Sequence, residues 1–416
     1  MEAYEELFSF LFECEKIDTH EHLLSSDHYL QSNDILFAVL ERSYLPWIIF
    51  GARDLPGRTV TRQDLLEGMK KVPAAAFYRY LIRAFSSMYG FEGEFLSEEN
   101  WNSLAEAIRE CYLHGNMIEK WLVRYLNIKK IVWDRYWLMG NFLVDRPLFS
   151  PVLRIDPLLY GYSRQAGDHD GKNPFPYADE TGISVRNFDD YLALIDSLFR
   201  KGVEGGVCAV KCAIAYNRSL SFEHVDRKKA EAVFNPAGPV KPDSEIKGFQ
   251  DYVFRYCLEK AREHQFPVQI HTGPGYAFQS DPSRLGTIFE EYRDIKISLF
   301  HGGFPWVGEP GAMALFYPNL YLDLVWLPVM SPSFAVMALT EWIEATGGSR
   351  IMVGGDSWNA EGVVGSFLFN LECIAETLAR LVDKKYITLS TARDIGKMIL
   401  WDNPREFFGS RLQVEG

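Results

Sequence analysis

Two histidines one residue apart close the stretch KIDTHEHLL, residues 16 to 24, in a chain with nine histidines in all. In an extended segment residues i and i+2 face the same side, so His20 and His22 can direct both imidazoles at one point while Thr19 and Glu21 point elsewhere. Neutral imidazoles converging on a point are donors for a divalent first-row ion. By itself an H-x-H pair is as readily a packed pair as a metal site, so the reading depends on donors at comparable places elsewhere.

Such donors are present. His271 ends FPVQIH, His301 ends IKISLFH, Lys211 ends GGVCAVK and Asp356 ends RIMVGGD. Taken singly, each histidine would be a satisfied core or loop residue and Asp356 a helix cap. Their joint placement, each polar group closing a separate apolar run, points to one shared site. The predicted metal-site residues are therefore His20, His22, Lys211, His271, His301 and Asp356, of which Asp356, His301 and Lys211 would also act in catalysis. Lys211 is the odd member, because an ammonium cannot ligate a cation. Either it stays a lysine and binds substrate, or CO2 adds to its amine and the carbamate bridges two metals. In KCAIAYNRSL, just beyond Lys211, Tyr216 and Arg218 are candidates for substrate binding, the guanidinium being suited to a carboxylate. His28, His114, His169, His224 and His264 lie in loops or on helical faces with polar neighbours, and among them His28 follows the first strand most closely.

The elements that must position these groups alternate short apolar runs with longer helical patterns. The runs are residues 16–20, 128–133, 151–156, 205–211, 266–271, 295–301, 319–324 and 350–356. Runs of this length separated by helices of 10 to 17 residues mark βαβ units and a parallel sheet. Eight of them favour a closed (β/α)8 TIM barrel, which gathers its functional groups at the carboxyl ends of the strands. The first strand lacks the G-x-G-x-x-G that would open a dinucleotide fold. Helical spacing between the first and second strands predicts a helical insertion over about 24–125, covering the barrel mouth. Residues 157–185, rich in Gly, Pro, Tyr and Asp, read as a long loop able to serve as a lid. The whole chain, 1–416, is expected to form one barrel domain.

Composition narrows the partners. Hydrophobic residues make up 47% of the chain and aromatics 14%, ample for a large core. Lys plus Arg (43) against Asp plus Glu (56) leaves a net charge of −13 without a basic stripe, so a nucleic-acid partner is not expected. The start, MEAYEELFSFLFECEK, reads as an amphipathic helix and not as a secretory signal. Uninterrupted apolar runs stay short of the roughly 18 residues a bilayer span needs, so no membrane association is expected. Six cysteines without C-x-x-C spacing suit reduced thiols in a cytoplasm. The expected partner is a small-molecule substrate, and the aromatic-rich insertion could supply a homo-oligomer interface.

The ordered series DTHEH, KCAIAYNR, IHTGPG, FHGG and GGDSW resembles the amidohydrolase superfamily of metal-dependent barrels, in particular its amidohydrolase-related branch. The resemblance extends over nearly the whole chain. It implies the ligand roles named above, with an H-x-H, a fourth-strand lysine, two later histidines and a final aspartate. KCAIAYNRSL, VQIHTGPG and PNLYLDL are similar to amidohydrolase domains fused to glutamine-synthetase-like domains, whereas the helical insertion is similar to that of uronate isomerases. Uronate isomerases carry a His-Tyr and a Trp-Arg motif in that insertion, where this chain reads ERSYLPWIIFGAR, and they lack a counterpart of His301. Both departures weigh against sugar isomerisation.

The expected cofactor is a divalent metal, zinc by preference, as one or two ions, with a carboxylated Lys211 in the two-ion case. A dication with an open position polarises a carbonyl and acidifies a water, and Asp356 would move the proton as base and then acid. The expected function is hydrolysis of an amide, lactone or ester in a small anionic substrate held by Arg218. The alternatives are a non-hydrolytic use of the same site, by a uronate isomerase-like enzyme or a decarboxylase, and a catalytically silent binding barrel.

Overall fold

Strand interiors in this chain are aliphatic at successive positions, a pattern that suits strands covered on both faces. A computed structural model, describing residues 2–275 and 279–413, shows this arrangement. The strands are β1 (Lys16–Glu21), β2 (Ile128–Trp133), β3 (Phe149–Arg154), β4 (Ala209–Cys212), β5 (Val268–His271), β6 (Ile297–Phe300), β7 (Leu320–Asp323) and β8 (Ile351–Met352). They form one sheet in the order β1 to β8, with the pairings from β3 to β8 all parallel. The result is a (β/α)8 barrel. Past β8 the chain continues alongside β1, where Thr19 N donates to Val353 O at 3.1 Å and Asp356 N to His20 O at 2.9 Å.

Six of the eight strands are within two residues of the expected runs at both ends. The exceptions are β4, which starts four residues late, and β8, which ends at Met352 and not at Asp356. The reason at β8 is local. Asp356 has φ +59°, a left-handed conformation that ends an extended run, and His301 beyond β6 likewise has φ +62°. The expected loop over 157–185 is also corrected. Asp156–Tyr160 forms a 3-10 turn, Phe175–Thr181 is an α-helix, and residues 155–163 are buried throughout, so this part is packed core and not a free lid.

By compactness the chain divides into two units. The first comprises Met1–Ile131, Leu324–Leu339 and Val353–Trp401. Between β1 and β2 it holds six α-helices, from Ser26–Leu30 to Glu98–His114, and a π-helical segment at Ile118–Tyr125. The helix Ala360–Asp383 runs through its centre. By length and composition it is long and apolar enough to cross a bilayer, a feature that uninterrupted runs alone do not signal. Its polar interruptions, such as Glu361 and Asn370, hid that character, and 83% of its apolar window is buried in the fold. The helix Ala76–Tyr89 crosses it closely. A Cβ on Gly365 would lie 2.4 Å from the Tyr80 carbonyl oxygen, so only glycine permits this approach.

The second unit comprises Val132–Asp323, Thr340–Met352 and Asp402–Gly416. Its helices Phe188–Glu204 and Asp243–Glu263 pack beside the strands, with Tyr191, Phe188, Phe234 and Phe249 forming an aromatic cluster at their junction. Trp342 Nε1 donates to Val307 O at 2.9 Å, satisfying the indole in the core.

Within the first unit a buried carboxylate ties the inserted helices to the central one. Glu361, fully buried, accepts from Tyr89 Oη at 2.6 Å and from Tyr112 Oη at 2.9 Å. Burial raises its carboxyl above the usual range, against the opposing effect of the two phenols. Glu361→Ala would strand both hydroxyls, so urea or thermal unfolding should show a loss of about 3 kcal/mol. Glu361→Gln, which keeps one acceptor, should cost roughly half as much.

Candidate metal centre

The H-x-H pair lies at the end of β1 in the first unit. His20 and His22 are 1% and 7% exposed, and their ring centroids are 4.7 Å apart. Both Nε2 atoms face one carboxylate oxygen, Asp356 Oδ1, at 3.7 Å from His20 and 3.2 Å from His22. Three of the six expected site residues are thus brought together here although more than 330 positions separate them in sequence.

The backbone around Asp356 is held from several directions. Its carbonyl accepts from Tyr44 Oη at 2.5 Å, and its amide donates to His20 O. The neighbouring Ser357 N donates to Glu21 Oε2 at 2.6 Å. Asp18 Oδ1 accepts from His20 N at 3.2 Å and from Gly355 N at 3.3 Å. Gly355 lets the Glu21 carboxylate lie close to the backbone, since a Cβ there would come within 2.0 Å of Glu21 Oε1 and displace it. Burial, and next the charge of Asp18, pushes the Glu21 carboxyl well above the usual carboxylate range. Such a frame holds Asp356 in a left-handed conformation that isolated chains seldom adopt. Asp18 and Glu21 were not singled out in the sequence. Their signal was their position in the DTHEH motif itself, where alternation places Asp18 on the histidine face and Glu21 on the opposite one.

The other three expected residues meet in the second unit. His301 Nε2 lies 2.8 Å from His271 Nδ1, with the ring centroids 4.2 Å apart. His271 Nε2 is hydrogen-bonded to the carbonyl oxygen of Pro274. A carbonyl only accepts, so that nitrogen carries the proton and Nδ1 presents its lone pair toward His301. Burial, followed by the charges of His301 and Lys211, holds the His271 imidazole well below its usual pKa and therefore neutral. Lys211, 2% exposed, places Nζ 3.1 Å from the centroid of the Phe300 ring, the position of a cation over an aromatic face. β5 and β6 set these neighbours in register, His271 pairing with Phe300.

Tyr216, in the 3-10 turn Ile214–Tyr216, lies against His271 at 4.3 Å between ring centroids. His169, passed over in the sequence, packs on the other side of Tyr216 at 4.6 Å. Arg218 is placed differently from expectation. Its guanidinium pairs with Asp251 at 2.7 Å and donates to Ser219 O and Ser221 O at 2.9 and 2.7 Å, so its fork is spent on the fold. The sequence showed an arginine near Lys211 but not Asp251, which comes from a helix over 30 residues later. Arg154 is similarly engaged, with Asp134 and Asp156 each at 2.6 Å. Asp156 in turn accepts from Ala213 N, steadying the turn after Lys211. His28 is exposed on the short helix Ser26–Leu30.

Both half-sets suit a divalent metal. The first offers two imidazole nitrogens and a carboxylate aimed at one another in a buried setting, and the second offers a neutral imidazole lone pair facing a second histidine.

A barrel with histidines and an aspartate at strand ends defines a class of metal-dependent enzymes, and comparison with known proteins agrees. The amidohydrolase family profile matches residues 174–410, more than half of the chain. The chain belongs to the amidohydrolase family. It is 27% identical over 173 residues to Protein fluG of Emericella nidulans, an alignment spanning 38% of this chain and 19% of that protein. Among solved structures, the uronate isomerase of Thermotoga maritima superposes with a TM-score of 0.74 at 15% identity, over 98% of this chain and 97% of its own. The glucuronate isomerase of Caulobacter crescentus gives 0.70 at 14%, over 100% and 95%. A proposed metal-dependent hydrolase of Lactobacillus casei gives 0.66 at 17%, over 99% of each chain. At these identities the structural likeness establishes the fold.

If the H-x-H pair holds an ion, the double variant His20→Ala/His22→Ala should retain less than about a tenth of the metal kept by the unaltered protein after dialysis, measured by plasma mass spectrometry. Equal metal content in the two would remove the pair from the ligand set.

Proposed function

We propose that this amidohydrolase is a metal-dependent hydrolase that cleaves an amide, lactone or ester bond in a small molecule. The observation that carries the reading is the placement of Asp356 Oδ1 at 3.2 Å from His22 Nε2, in a carboxylate that keeps 6% of its surface open. In this reading His20, His22, His271 and His301 would hold a divalent ion, zinc by preference, which would supply Lewis-acid chemistry to a carbonyl and to water. These histidines lie at or just past the ends of three strands, β1, β5 and β6, and barrels of this class use the carboxyl ends of their strands for function.

Asp356 accepts the proton of the attacking water at Oδ1 and returns it to the leaving group, acting first as base and then as acid. The Tyr44 and Ser357 hydrogen bonds keep that carboxylate aimed during the transfer. Lys211 acts as an ammonium, since its Nζ lies over the Phe300 face, and donates to the carbonyl oxygen as negative charge builds there. Tyr216 lines the approach to His271. With Arg218 bound to Asp251, recognition of the substrate does not rest on that guanidinium.

Asp356→Asn should lower kcat by roughly 10^3 while leaving most metal bound, because the amide keeps a ligand oxygen but loses the basic site. Turnover at the unaltered rate would refute the role. Product mass tests the reaction itself, since hydrolysis adds one water and isomerisation adds nothing. For Lys211, equilibration with 13C-bicarbonate should give no carbamate resonance by NMR. A carbamate signal that disappears in Lys211→Arg would overturn the ammonium role.

A further inference from the structure

Five large aromatic side chains of the first unit form a connected cluster that reaches His22 through Trp358. Trp358, two residues after Asp356, stacks on the His22 imidazole with centroids 5.4 Å apart and planes 23° from parallel. Tyr44 lies 5.3 Å from Trp358 and 4.5 Å from Trp326. Trp47 and Phe77 each lie 5.4 Å from Tyr44. Tyr44 and Trp326 are buried, at 3% and 1% exposure, and form a floor. Trp47, Phe77 and Trp358 are only partly covered.

A cluster built solely to fasten the inserted helices would bury its largest rings first, because each fully covered aromatic contributes on the order of 2 kcal/mol. Here the indoles of Trp47 and Trp358 stay partly open, and the open rings are continuous with the side chain of a proposed ligand. The backbone is held to this arrangement, since Trp326 adopts φ +67°, a left-handed conformation disfavoured for a bulky residue. The one hydroxyl in the floor, that of Tyr44, is committed to the Asp356 carbonyl. The surface is therefore suited to a flat, largely apolar group.

From this geometry we infer that the substrate carries an aromatic or similarly planar group, seated against Trp47, Phe77 and Trp358 with its scissile bond toward His22 and Asp356. The inference rests on the hydrolase reading for the position of that bond, but not for the binding of the ring. A planar group gains offset-stacked or edge-to-face contact worth about 1 kcal/mol beyond its buried area, which an alkyl group of like size does not.

Binding of benzamide and of isobutyramide to the full-length, metal-loaded protein, measured by calorimetry, tests the inference apart from turnover. Benzamide should bind about tenfold tighter, and in Trp47→Ala the ratio should fall to within about twofold. Phe77→Leu, a milder change, serves as the second variant should Trp47→Ala fail to fold, and should also reduce the ratio. Equal affinities in the unaltered protein, or a preference that survives both variants, would overturn the aromatic subsite. Selective benzamide binding together with no hydrolysis of any aryl amide, ester or lactone would leave the subsite standing and refute the hydrolase reading instead.

Discussion

A carboxylate and two imidazoles, all nearly excluded from solvent, share one small space at the end of β1. Moving such groups out of water costs several kcal/mol each unless charge and hydrogen bonds compensate. Everything around Asp356 serves that requirement. The residue adopts a left-handed conformation that turns its side chain toward His20 and His22, and the conformation is held at its amide by His20 O and at its carbonyl by Tyr44. Asp18, on the histidine side of β1, and Glu21, on the opposite side, secure the following backbone through Gly355 and Ser357. The strand thus uses both faces, with Asp18 and the histidines on one and Glu21 on the other, following the two-residue period.

The same economy appears at His271 and His301. A single backbone carbonyl, that of Pro274, decides which nitrogen of His271 is protonated and so which one presents its lone pair toward His301. The phenyl ring of Phe300 gives Lys211 a cation-binding surface. Arginine is kept out of this chemistry. Arg154 and Arg218 are each locked by buried aspartates, and their role is to steady the turns beyond β3 and β4.

In the first unit, tyrosines perform the fastening. Tyr89 and Tyr112 bind Glu361, Tyr29 binds the carbonyl of Trp358, and Tyr44 binds that of Asp356. Each phenol combines a large apolar body with one directional donor, so the inserted helices are both glued and aligned to the segment that carries the aspartate. This coupling explains how helices remote in sequence from Asp356 can shape what it meets.

Much of the site was legible in the sequence because barrel geometry converts strand ends into neighbours. An H-x-H after one apolar run, with lysine, two histidines and an aspartate after others, specified residue types, and the alternation of short runs and helices specified the barrel. What only the folded chain decided depends on partners far away along it. The left-handed turns at His301 and Asp356, the commitment of Arg218 to Asp251 and the open aromatic wall beside His22 all arise from contacts between distant segments. Tyr44 and Asp356 are 312 residues apart, and Glu21 and Ser357 are 336 apart. Local periodicity reports which face a residue takes, but not which atom will be waiting there, because that is settled by long-range packing.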